Sequence, residues 1–330
     1  MNKMGGIYPQ VASVGGVMAD MTEEVSQSAA DALFEAVASG DATGVKRMIT
    51  LGADVESRTS DEMTPLHCAA KHGQVEVVIT LVEVGADKEA RSENEATPLH
   101  WAAHEGHVKV VTTLIEAGAD KEAQTAEAMT PLHWAAHEGH VKVVSMLVEA
   151  GVDKEARTAE AWTPLHLAAR QGHAKVVAML LESGADKEAY DVQGARPLHL
   201  AAQHGRVEAL KTLVERGADK EAWDERKMTP LHWAAYKGHA EAVSTLLDLG
   251  ADKRPRTTDG ETPLKMSMRS GHLEVEQLLK EIKTKKAASE PTQQAVDEAE
   301  RVALEILEEE EREEAAKAAA AQKQKKVREL

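Results

Sequence analysis

Apolar residues along most of the chain fall into two short helical stripes followed by a polar gap, and the pattern then starts again. In residues 97–120, Leu99, Trp101, Ala102 and Ala103 form one cluster, and Val110, Val111, Leu114 and Ile115 form a second. Recurrence at i, i+3 and i+4 predicts a pair of short amphipathic helices rather than strands. The punctuation agrees. Thr97 is a good N-cap residue, and Pro98 suits the first helical position, where its missing N–H costs nothing. Gly106 can end the first helix in a left-handed conformation; the second is expected over about Val108–Ala117, with Gly118 as its stop. Ala119 to Ala123 then lead to a polar turn before Thr130.

Proline recurs at 65, 98, 131, 164, 197, 230 and 263, a spacing of 33 residues held without slippage, mostly in the frame Thr-Pro-Leu-His. Such a period marks a stacked array of small units, none of which can bury its apolar face alone. The Ala pairs at 69/70, 102/103, 135/136, 168/169, 201/202 and 234/235 let neighbouring helices approach closely.

The Thr-Pro-Leu-His-x-Ala frame at this period resembles the ankyrin repeat, over about residues 29–281. The resemblance implies an all-α helical solenoid of about eight helix–turn–helix units with β-turn tips. An opening unit (Ala32 to Ala36, Gly40, Val45 to Leu51) keeps the register without Pro-Leu-His, and the last unit carries Lys265 for His and Met266 and Met268 at core positions; both read as caps. The resemblance also implies that the motif imidazoles of His67, His100, His133, His166, His199 and His232 bond the motif Thr and the next repeat's backbone. Two departures stand out. The turn glycine appears only at Gly194 and Gly260, and Glu62, Glu95, Ala128, Ala161 and Lys227 hold the position elsewhere, which adds strain if the turn needs positive φ. Arg196 replaces the Thr cap, a loss of about 0.5–2 kcal/mol that makes its unit the expected weak link.

Composition narrows the function. Net charge is −17 with no large basic patch, which argues against nucleic acid and favours a partner protein with a basic surface. Aromatics at 3% point to a core of Ala, Val and Leu. The single cysteine, Cys68, shares its slot with Trp101, Trp134, Leu167, Leu200 and Trp233 and reads as a core residue. No signal peptide, myristoylation glycine or membrane-length apolar run is present, so the expected setting is cytoplasmic, with the nucleus as a second option. No phosphate loop, nucleophile elbow or Cys–base pair is seen, and no enzyme activity or cofactor is expected. His104/His107 and His137/His140 stand three apart across Gly106 and Gly139, the wrong spacing for a helical zinc pair; repeat periodicity accounts for them.

By the resemblance, variable residues on the concave face bind partners. The candidates are Arg157, Trp162, Tyr190, Trp223, Tyr236 and Lys237, with Arg58, Arg91, Gln124, Arg157, His104, Glu105, His137 and Glu138 in matching slots. Exposed Trp, Tyr and Arg are enriched among interface hot spots, each worth about 2–4 kcal/mol, although scattered aromatics can be incidental. Residues 97–111 and 130–144 are identical, which points to recent duplication or a generic frame, so that stretch is not expected to hold partner-specific information. The Lys-Glu pairs from Lys88/Glu89 to Lys220/Glu221 read as surface ion pairs worth about 0–1 kcal/mol each.

Outside the repeats, residues 1–28 read as disordered, 282–292 as a linker and 293–330 as a charged Ala/Glu/Lys-rich helical tail. Glu308/Arg312 and Glu313/Lys317 support that helix. The stripe Val296, Ala299, Ala303, Ile306 and Leu307 spans under two heptads, short for a coiled coil. Lys323 to Lys326 suit a helix C-terminus or a nuclear address. The chain is thus expected to be a non-enzymatic adaptor or scaffold that binds a partner protein as a monomer. The alternative is an assembly protein that self-associates through the tail, with the repeats as spacer.

Overall fold

The computed structural model describes residues 28–280, in which all regular elements are helical. The tail helix, the linker, self-association and, apart from residue 28, the N-terminal segment all lie outside the described residues. The described residues divide into two compact units: residues to 201 with 206–219, and 202–205 with residues from 220 onward.

The first unit contains α1 (28–38), α2 (Ala42–Thr50), α3 (Pro65–Lys71), α4 (Val75–Glu83), α5 (Pro98–His104), α6 (Val108–Glu116), α7 (Pro131–Glu138), α8 (Val141–Glu149), α9 (Pro164–Gln171), α10 (Ala174–Glu182), most of α11 (Pro197–Gln203) and α12 (Val207–Glu215). The second contains α13 (Pro230–Lys237), α14 (Ala240–Asp248), α15 (Pro263–Arg269) and α16 (Leu273–Lys280). In each unit, first helices of successive repeats pack together (α3 on α5 on α7 on α9; α13 on α15), and second helices form a parallel row (α2 to α12; α14 on α16). The two rows make an all-α solenoid whose core is Ala, Val and Leu: Leu66, Leu99, Leu132, Val111 and Leu114 are among the residues with no exposure. The Ala pairs are likewise fully buried, as close helix approach requires.

The motif histidine links repeats. Thr97 N–H and its hydroxyl both donate to His100 Nδ1, at 3.1 and 2.9 Å. Because Nδ1 accepts, the ring proton sits on Nε2, which donates to Met129 O of the next repeat at 2.9 Å. His67, His133 and His166 repeat the pattern, donating to Ala96 O, Trp162 O and Ala195 O. Burial lowers all four imidazoles to a pKa of about 4. A second clasp uses the Gly-His pairs. His140 Nε2 donates to His104 O at 2.7 Å, and a Cβ on Gly106 (φ 77°) would lie 2.6 Å from that ring.

The turn tips need the left-handed conformation. Glu62, Glu95, Ala128, Ala161 and Lys227 all have φ between 55° and 62°, beside Gly194 at 74° and Gly260 at 72°. The frame holds the tips against that strain with turn bonds such as Glu95 N–H to Ser92 O at 2.8 Å and turn-to-turn bonds such as Val192 N–H to Glu160 O at 3.2 Å. At Arg196 half of the capping arrangement survives: its N–H donates to His199 Nδ1 at 3.1 Å, and its guanidinium pairs with Glu188.

The Lys-Glu rows behave differently from the surface ion pairs expected of them. Glu122 Oε1 accepts from Asp153 N–H of the next repeat at 2.8 Å, and Glu89, Glu155, Glu188 and Glu221 do the same with Asp120, Asp186, Asp219 and Asp252. Lys187 Nζ donates to Arg216 O at 2.9 Å, at the end of α12, and Lys121 reaches Ala150 O at the end of α8. These charges bond backbone across the stack, which a side chain of the right length achieves and a Lys–Glu contact within one repeat does not. Arg254 stands where the next Glu would be.

Candidate partner-binding surface

The six candidate residues fall in two groups, Arg157, Trp162 and Tyr190 in the first unit and Trp223, Tyr236 and Lys237 in the second. Their roles diverge once their neighbours are known.

In the first unit Arg157 is exposed, but its guanidinium donates to Tyr190 O and lies 5.6 Å from the centre of the Tyr190 ring. Arg58 and Arg91 do the same with the next repeat's backbone, donating to Arg91 O and Gln124 O. Arginine at this position is therefore a bridge between repeats. Tyr190, which follows Arg157 by one period, is 61% exposed, with Val192 beside it at 57%. Trp162 is half-buried rather than an exposed tip: its Nε1 donates to Asp191 Oδ2 at 3.0 Å and Arg170 stacks 5.0 Å over the ring. It anchors one turn to the next.

The first helices of this unit carry a further cluster. Trp101 and Trp134 pack edge to face at 5.5 Å, with Lys71 4.6 Å over Trp101. Trp134 is buried, Trp101 is half-buried, and Trp101 Nε1 has no hydrogen-bond partner among the described residues. The Gln171 amide donates to His137 Nε2 at 2.5 Å, which leaves the His137 proton on Nδ1 to donate to Glu138 Oε1 at 2.6 Å. Partial burial raises the Glu138 carboxyl, but the His137 bond and the neighbouring imidazoles outweigh it and bring it below its usual range. His104 Nε2 stands 3.6 Å from the same carboxylate. The stretch that duplication marked as generic thus holds a polar network on the first-helix row.

In the second unit Trp223 is 56% exposed with Lys227 Nζ 5.6 Å from its ring centre, and Tyr236 is 37% exposed with Lys237 at 5.2 Å. The two rings are joined through the fold. Asp224, next to Trp223, accepts from Trp233 Nε1 at 2.9 Å, and Trp233 contacts Tyr236 at 6.3 Å between ring centres. Asp224 Oδ1 also accepts from Arg226 N–H and Met228 N–H, at 2.9 and 2.8 Å, which fixes the turn. Lys227 and the anchoring role of Asp191 and Asp224 escaped the sequence reading. The available signal was Asp at a position where other repeats carry Thr59, Ser92, Thr125, Thr158 or Thr257.

Among the described residues no group of three or more His, Cys, Asp or Glu is arranged to hold a metal ion, and no helix is long and apolar enough to cross a membrane. His107 and His140, the members of the His-Glu-Gly-His pairs that follow the glycine, donate to Lys71 O and His104 O. Burial raises the Cys68 thiol above its ordinary range, which disfavours the thiolate a nucleophile needs.

Stacked helix pairs, cross-repeat histidine bonds and turn-tip side chains define a helical repeat protein whose constant residues build the frame. A family model described as ankyrin repeats (3 copies) matches residues 33–125, 123–191 and 198–290. The chain belongs to the ankyrin repeat family, whose repeats are generally protein–protein interaction modules and typically non-catalytic. A comparison with curated proteins gives no match.

Proposed function

We propose that this protein is a non-enzymatic adaptor that binds a partner protein through side chains of its turn tips and first helices, the residues that line the concave face in ankyrin arrays. The observation that carries this reading is the exposure of large aromatics at one repeat position, Tyr190 at 61% and Trp223 at 56%. Leaving such rings in water forgoes about 1.5–3 kcal/mol of burial apiece, which an interface recovers. The backbone at these positions is already set by turn bonds, so binding orders little of it. A net charge of −17 suits a partner with a basic surface, met in the first unit by Glu105 and Glu138.

The test is site-specific photo-crosslinking in the full chain. A benzoyl-phenylalanine at Tyr190 or Trp223 should trap the same partner proteins repeatedly, while one at exposed Glu116 on the second-helix row should not. Equal yields from all three positions would sink the proposal. Oligomers that vanish on removal of 282–330, with no trapped partner, would establish the assembly role instead.

A further inference from the structure

Charge in the second unit is divided between its two helix rows. The first helices α13 and α15 carry Lys237, Lys265 and Arg269 and no carboxylate. The second helices α14 and α16 carry Glu241, Asp248, Glu274 and Glu276 against a single cation, Lys280. The protein's overall acidity is thus reversed locally, on the row that also bears the exposed Tyr236 ring, with exposed Trp223 on the turn that precedes α13.

The turns sharpen this asymmetry. Of the carboxylates on the turn tips before α13 and α15, Asp224 is 8% exposed and engaged by Trp233 and two backbone amides, and Glu261 is paired with Arg269 at 2.7 Å. Glu225 and Asp259 are exposed. Against them, Arg226, Lys227 and Lys237 are exposed and form no ion pair among the described residues. Two of these ammonium groups already sit within 5.6 Å of an exposed ring. The turn holding Arg226 is tied to the next by Thr258 N–H donating to Arg226 O at 3.0 Å, so the cations stand on a fixed backbone.

We propose that this face of the second unit docks an acidic peptide segment of a partner protein, one in which Asp or Glu residues alternate with an aliphatic or aromatic side chain. Carboxylates meet Arg226, Lys227 and Lys237, and the apolar residues lie on the Trp223 and Tyr236 rings. Charge complementarity selects this occupant: a basic segment would be repelled by the same three cations. The inference deepens the adaptor reading and rests on it, and it assigns the second unit a partner chemistry opposite to the one that net charge alone suggests.

The experiment is selection of a phage-displayed random dodecapeptide library on the full chain. The sequences it yields are then compared with those from the Lys227→Glu/Lys237→Glu variant, after the two proteins are shown to melt alike. The expected result is enrichment of Asp and Glu around apolar residues. Those peptides should bind the charge-reversed variant about tenfold or more weaker and lose affinity as salt rises. Selection of basic or uncharged peptides, acidic peptides that bind the variant equally well, or no acidic peptide above the variant's background would each overturn the proposal. Crosslinks from Trp223 to a protein without an acidic segment would overturn it too while leaving the adaptor reading intact. Absence of any crosslinked partner would remove the adaptor reading itself.

Discussion

One repeat position has opposite uses, seen most clearly by setting the early repeats of the first unit against Trp223 in the second. In the first, Arg58, Arg91 and Arg157 each reach the carbonyl at the same position one repeat on, and their guanidinium groups become part of the stack. In the second, Trp223 occupies the equivalent place, cannot make that bond, and stands 56% exposed beside Lys227. Tyr190 shows the changeover: its carbonyl serves Arg157, while its own side chain turns to solvent. A variable position in a repeat array is therefore not free by default. It becomes available for binding when its side chain is too short or the wrong chemistry to cap the next carbonyl.

The strongest way to break the comparison is acid. Burial holds His67, His100, His133 and His166 in the first unit at a pKa of about 4, below the ordinary value of 6.5. Their folded values are depressed, so the unfolded chain takes up protons that the fold refuses. Stability is complete above pH 6.5 and is lost as pH falls toward 4, at about 3 kcal/mol for each imidazole over the full window. The mechanism is specific: protonating Nδ1 removes the acceptor for both Thr N–H and Thr hydroxyl. In the second unit His232 bonds in this way, with Thr229 N–H at 3.1 Å. With four such imidazoles in the first unit against His232 in the second, amide exchange should show protection in the first unit falling further between pH 6.5 and 4 than in the second. Equal loss in both units, or none, would contradict it.

Most of the frame was legible in the sequence because its signals are local. Thr97, Pro98, Gly106 and Gly118 bound α5 and α6 within a residue or two of where the caps placed them. The site was less legible because exposure depends on what lies one repeat away. Trp162 and Trp223 look alike in sequence as isolated aromatics near turns. Asp191, 29 residues downstream, anchors the first, and among the described residues no carboxylate holds the indole of the second. Net charge is blind to position for the same reason: a total of −17 does not say which helix row carries the cations. Length decided the Lys-Glu rows, since Glu122 and Lys121 each span to the next repeat's backbone, a reach that sequence spacing does not display.

A smaller change would transplant a feature of the second unit into the first. Trp233 Nε1 has a partner in Asp224, nine residues before it, whereas Trp101 Nε1 is buried without one and Ser92 stands at the equivalent position. Ser92→Asp should supply the missing acceptor and also accept from the turn amides, as Asp224 does. The expected gain is about 1 kcal/mol in denaturant unfolding, since it relieves an unsatisfied buried donor. A companion Ser92→Asp/Trp101→Leu protein should lose that part of the gain due to the indole. If both proteins gain equally, the benefit comes from the turn alone and the Trp101 donor is of no consequence.

The turn tips give the finest test. Ala128 in the first unit has φ 59°, and Gly260 in the second has φ 72° at the same repeat position. A left-handed conformation costs an L-residue about 1–2 kcal/mol, while glycine loses about 0.5–1 kcal/mol more chain entropy on folding. The difference predicts that Ala128→Gly stabilises its unit by about 0.5–1 kcal/mol and that Gly260→Ala destabilises the other by a similar amount. Alanine lacks contacts beyond its methyl group, so the pair isolates backbone strain from side-chain packing. Opposite signs would show that the same strain is present at both tips and that the array tolerates it where glycine is missing. A neutral Ala128→Gly alongside a destabilising Gly260→Ala would instead mean that tip bonds such as Ala128 N–H to Thr125 O at 2.9 Å fully offset the strain in the first unit.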